Sequence, residues 1–180
     1  SIGMETILEE DLELIQYTMN LMQQNSDIYV YGNTNVDIYP RAGTISFNII
    51  GMDHGLLAAI LNDYFNIAVR NECFCAHPYV EKMLHGTHKE EIENMDCQED
   101  RLAWTVEPWM GMVRASFGLY NTKKDVDMLL NALNQIIDKK EFYSKQYALN
   151  NEGEYIHNNF SFSSKEYFSL TGTIDQDIGI

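Results

Sequence analysis

Residues 43–61 read GTISFNIIGMDHGLLAAIL, and this stretch decides the fold. Its first half alternates: Ile45, Phe47 and Ile49 fall on one face, with Ser46 and Asn48 on the other. A period of two over this length predicts a half-buried strand. Gly51 ends it, and Asp53 is placed to cap a helix through Leu56, Leu57, Ile60 and Leu61. A strand with one apolar face must bury that face, and the helix that follows supplies one cover.

Working outward, residues 4–24 space Ile7, Leu12, Leu14, Ile15, Met19 and Met22 as a helix, with acids early where the helix dipole favours them. Residues 28–31 (IYVY) predict a short strand closed by a Gly32-Asn33 turn. After Asn66, residues 67–69 predict another, and Pro78 suits the first turn of a helix running toward His85. Residues 111–117 (GMVRASF) predict a further strand. Asn121 or Thr122 then caps a helix whose Val126, Leu129, Leu130, Leu133 and Ile136 recur at helical spacing. The order αββαβαβα predicts an α+β fold, a two-layer arrangement of a small antiparallel or mixed sheet covered by helices. Residues 86–108 are polar and acidic and predict a mobile loop. Residues 143–180 hold several Tyr and Phe with little periodicity, and read as an extension draped over the surface, with room for a short hairpin.

The 180 residues are 45% hydrophobic, which suits a folded domain. The net charge of −15 argues against nucleic acid and anionic membrane as partners, because phosphate binding needs surplus cations. No apolar run approaches the roughly 20 residues of a membrane span. Three cysteines, Cys73, Cys75 and Cys97, are an odd count in a chain too large to need disulfide staples, and point to a reducing cytoplasm. The chain opens on Ser1, which reads as a trimmed chain or as a piece of something longer.

Two stretches could carry chemistry. In residues 67–80 (IAVRNECFCAHPYV) a strand delivers Arg70 to a loop holding Cys73 and Cys75, and a helix follows. A thiol beside a guanidinium and a helix N-terminus becomes a usable nucleophile. Both cysteines can equally be small buried hydrophobes. Cys73, Cys75 and His77, with His88 and Cys97 downstream, also allow a zinc reading, but zinc knuckles repeat C-x-x-C and this chain has a single C-x-C. In residues 111–125 (GMVRASFGLYNTKKD), Arg114 lies mid-strand among apolar residues. A charge there needs either a structural carboxylate or a ligand, and a guanidinium grips a substrate carboxylate in bidentate fashion.

Three segments together resemble the class V aminotransferase family of pyridoxal-phosphate enzymes, in its cysteine desulfurase and selenocysteine lyase branch. They are RAGTISFN at residues 41–48, IAVR with CAHP at 67–70 and 75–78, and VRASFGLYNT followed by DVD at 113–122 and 125–127. The resemblance covers roughly residues 4–138. It implies the C-terminal small domain of such an enzyme over residues 1–142, with 143–180 as an aromatic-rich extension. It implies Cys75 as the sulfur-accepting nucleophile, Arg114 as the substrate-carboxylate arginine and Arg70 as a second pocket arginine. It further implies pyridoxal phosphate in the full-length enzyme, an amino-acid substrate such as cysteine, alanine and an enzyme persulfide as products, a sulfur-acceptor protein and a homodimer. Where the family loop reads R-x-G-x-x-C, this chain has Glu72 for the glycine and an additional Cys73. The family's S-x-H-K lysine lies upstream of all three segments, and Thr87-His88-Lys89 falls in the wrong order to replace it. The chain alone is therefore expected neither to hold the cofactor covalently nor to be active. Two alternatives stand beside this reading: a class V aminotransferase or lyase without sulfur chemistry, and a freestanding acidic module binding a protein or zinc.

Overall fold

A computed structural model of the chain describes residues 3–36, 38, 39, 41–87 and 111–160. The elements run α1 (Met4–Met22), β1 (Ile28–Val30), β2 (Thr44–Ile49), α2 (His54–Phe65), α3 (His77–Thr87), β3 (Val113–Ser116), α4 (Lys123–Asp138), α5 (Lys140–Ser144), β4 (Tyr147–Leu149) and β5 (Tyr155–His157). β1, β2 and β3 form an antiparallel sheet in that order, with Val30 opposite Phe47 and Phe47 opposite Val113. The α+β expectation holds, with the sheet antiparallel among the described residues.

Alternation in β2 does what the sequence predicts. Ile45, Phe47 and Ile49 are buried, while Thr44, Ser46 and Asn48 are half-buried. Val113 and Ala115 join the buried face from β3 and Ile28 from β1. Helices α1, α2 and α4 cover it with Ile15, Met19, Met22, Leu57, Ile60, Leu61, Leu133 and Ile136. Each fully buried side chain of this size stabilises by about 1.5–3 kcal/mol relative to exposure. α1 and α4 are pinned to each other at their rims, where Tyr17 donates to Asp127 (2.7 Å) and Lys123 meets Glu13 (2.5 Å).

The caps follow the sequence. The Asp53 carboxylate accepts from the Gly55 and Leu56 N–H groups at the start of α2. At the start of α4 the Asp125 carboxylate accepts from the Thr122 N–H (2.7 Å), half of a capping box. Gly32 has φ +84, and a Cβ there would lie 2.5 Å from Arg41 Nη2. Glycine at this turn lets Arg41 reach the Tyr31 and Asn33 carbonyls (2.8 and 3.0 Å), so this first residue of the RAGTISFN segment is occupied in holding the turn.

Residues 67–69 do not form the expected strand. Asn66 closes α2 in the left-handed conformation (φ 55), and the Ile67 N–H turns back to the Leu61 carbonyl (2.9 Å). Pairing starts only at Arg70, which bridges Arg114 on the open edge of β3. The hairpin of β4 and β5 realises the allowance for one in the C-terminal stretch. It docks on the end of α2 through Tyr147 to Asp63 (2.9 Å) and Tyr64 against His157, and Tyr143 and Tyr147 are part of the main core. Most of the predicted 86–108 loop, Cys97, and residues 161–180 lie outside the described residues.

Candidate active-site face

The face of the sheet turned away from the core carries the polar residues. Residues directly opposite in antiparallel strands share a face. Ser46 is opposite Arg114, and Arg114 is opposite Arg70, which exchanges both main-chain hydrogen bonds with it (3.1 and 2.7 Å). Asn48, two residues along β2, shares that face. Its Nδ2 donates to the Gly111 carbonyl (2.8 Å) and the Tyr31 hydroxyl (3.2 Å), and its Oδ1 accepts from the Val113 N–H (3.2 Å). One amide therefore fixes how the chain enters β3, and with it the position of Arg114.

Part of this face is closed by a second, smaller core. Tyr31, Val80, Leu84 and Met112 are buried together, with Cys73, Phe74 and Met83 packed against them. Burial is the main reason the Tyr31 phenol is pushed up to about 12, against the opposing effect of the Asn48 amide.

The thiol loop lies between the two arginines. Glu72, Phe74 and Cys75 have φ of 76, 54 and 63. The Met112 N–H donates to the Glu72 carbonyl (3.1 Å), and the Ala76 N–H closes a turn onto the Cys73 carbonyl (2.7 Å). Glu72 occupies the position where the resembling family has glycine, and its backbone shows why: φ 76 is glycine's region, costing an L residue roughly 1–2 kcal/mol. The turn sends the two cysteines to different surroundings. Cys73 packs into the small core; burial, then Glu72 and Glu81, pushes its thiol pKa up. Cys75 is exposed, and Arg70 Nη2 donates to its Sγ at 3.3 Å. The structure thus separates two cysteines that the loop's residue types alone left equivalent.

The Arg114 guanidinium lies 5.1 Å from the centroid of the Phe74 ring, and its Nε is buried with no hydrogen-bond partner among the described residues. No described carboxylate takes up the structural salt bridge that the sequence left open for it. A buried guanidinium N–H without a partner is costly, and a carboxylate ligand would satisfy it. On the other side of the thiol loop a groove of about 850 Å³ runs between α2, α3 and the β4–β5 turn, lined by Asp53, His54, Glu72, Cys73, Glu152 and Tyr155 among others. It includes neither arginine nor Cys75. Among the described residues no three His, Cys, Asp or Glu side chains gather to hold a metal ion. His88 and Cys97 of the zinc reading lie outside the described residues.

Cys75, Arg70 and Arg114, the three site residues read from the sequence, are therefore brought to one face. Asn48, Tyr31 and Phe74 were not foreseen. Asn48 had a signal, being an amide at a polar position of an otherwise apolar strand. Phe74 had none. The set suits a carboxylate and a sulfur atom. It does not fit covalent attachment of an aldehyde cofactor, since a guanidinium stays protonated and forms no imine at neutral pH.

The sheet thus has helices on one face and two guanidiniums with a thiol on the other. The family described as Aminotransferase class-V matches residues 1–129, and the chain belongs to that family. A probable cysteine desulfurase from Halobacterium salinarum is 31% identical over 137 residues, 74% of this chain and 26% of that protein. A molybdenum cofactor sulfurase from Bombyx mori is 31% identical over 104 residues, 54% of this chain and 13% of that protein. The apo structure of cysteine desulfurase from Thermococcus onnurineus NA1 superposes with TM-score 0.57 at 26% identity, covering 76% of this chain and 27% of that one. The domain is thus of the cysteine desulfurase type, and the chain spans about a quarter of the length of that archaeal relative and of the solved structure.

Proposed function

We propose that this chain is the substrate-facing domain of a pyridoxal-phosphate-dependent cysteine desulfurase. Arg114 receives the α-carboxylate of the substrate amino acid. The Cys75 thiolate attacks the substrate sulfur, a new S–S bond forms as the carbon–sulfur bond breaks, and Cys75 is left as a persulfide for an acceptor protein. Pyridoxal phosphate supplies the electron sink at the substrate carbon when bound, and residues outside this chain hold it. The observation that carries the reading is the buried Nε of Arg114, without a hydrogen-bond partner among the described residues, on the face that also presents Cys75. Sulfur handling is favoured over the aminotransferase alternative because the curated relatives named above, a desulfurase and a sulfurase, both bear the names of sulfur-transferring proteins.

The test uses the protein that contains this chain, with pyridoxal phosphate added, and measures sulfide and alanine formed from cysteine, with selenocysteine as the competing substrate. Cys75→Ala should remove nearly all sulfide formation, and Cys73→Ala should leave most of it. Arg114→Ala should raise KM for cysteine on the order of 10–100-fold, the worth of a charge-assisted contact. Undiminished sulfide release from Cys75→Ala would sink the assignment.

A further inference from the structure

Arg70 and Arg114 leave the same face as a directly paired couple. Two guanidiniums so placed could converge on one anionic substrate, as the sequence reading expected. They do not. Arg70 Nη2 donates to Cys75 Sγ at 3.3 Å, while Arg114 lies against the Phe74 ring. The divergence originates in the loop. Phe74 and Cys75 are consecutive residues in the left-handed region, and each sends its side chain to a different arginine. Arginine suits the sulfur contact because its fork of donors is permanently charged, so one N–H can serve the sulfur while the rest stay hydrated.

We propose that Arg70 is a positioning residue for Cys75 and not a second substrate clamp. Its guanidinium fixes the sulfur on the open face of the sheet, leaving the substrate carboxylate to Arg114. The sulfur-acceptor reading of Cys75 gives this contact its purpose. The contact itself is testable without that reading, because alkylating a thiol asks nothing of cofactor or substrate.

The experiment is alkylation of the chain with iodoacetamide from pH 6 to 9, with Cys75 and Cys73 followed separately by peptide mapping. Arg70→Gln should slow modification of Cys75 near pH 7 roughly three- to tenfold, as expected when the donor that holds the sulfur in place is lost. It should leave the Cys73 rate as it was. Arg70→Lys, which keeps the charge but not the planar fork, should recover part of the rate. Wild-type reactivity of Cys75 in Arg70→Gln overturns the proposal. So does a parallel change at both cysteines, which would mean that Arg70 only holds the loop together. If Arg70→Gln loses its far-ultraviolet circular dichroism, Arg70→Met is judged by the same criteria.

Discussion

The two faces of the three-stranded sheet are built from alternate residues of the same strands, yet they obey different rules. On one face Ile45, Phe47 and Ile49 meet three helices and are at most 1% exposed. On the other, Ser46 and Asn48 share their side with two arginines and a strained loop. The first face is redundant: many apolar side chains share the work, and their chemistry is interchangeable at constant volume. The second face is specific. Asn48 makes three hydrogen bonds that a same-sized leucine could not make, and Arg70 and Arg114 meet different groups, Cys75 and Phe74, although they are cross-strand partners.

The contrast can be broken most forcefully at Phe47. Phe47→Ala should cost about 3–5 kcal/mol, the usual range for emptying a fully buried aromatic site. Urea denaturation should show the midpoint collapsing, or the chain unfolded before urea is added. A loss under 1 kcal/mol would mean that this face is not the core. The small core on the other face should show itself in alkali. Folding holds the Tyr31 phenol protonated up to about 12, against 10.0 unfolded. An acid whose folded pKa is raised contributes stability that is complete below pH 10 and lost as pH climbs toward 12. Two pKa units correspond to about 2–3 kcal/mol. Tyr31→Phe should therefore flatten the fall in unfolding free energy over that window relative to wild type, and parallel curves would remove the claim. The smallest effect belongs to the loop. Glu72→Gly relieves a left-handed residue but loosens the unfolded chain, for a net gain of about 0.5–1 kcal/mol in chemical denaturation. A net loss would show that the Glu72 side chain contributes contacts of its own.

Much of the first face was legible in the sequence because burial writes itself as periodicity. Alternation marked β2, and helical spacing marked α4. The second face was legible only where a residue was out of place. Arg114 was conspicuous as a charge within an apolar strand. The thiol loop resisted for a physical reason. Left-handed backbone is ordinarily announced by glycine, and here Glu72, Phe74 and Cys75 adopt it. The residues that resemble the family marked position 72 as glycine's place, but nothing marked 74 or 75. The strand expected at 67–69 failed because the cap of α2 uses the Ile67 N–H, a long-range fact invisible in three apolar letters.

The left-handed backbone at Cys75 also governs how a chemist can interrogate this thiol. At φ 63 any L residue is strained, but a side chain branched at Cβ is strained most. Serine and alanine remove the sulfur while asking little more of the turn than cysteine does. Threonine or valine would shift the turn as well, and a lost activity could no longer be credited to the missing atom. Position 75 accepts clean single-atom questions and rejects bulky ones, so the choice of replacement decides whether an experiment there reports on sulfur or on shape.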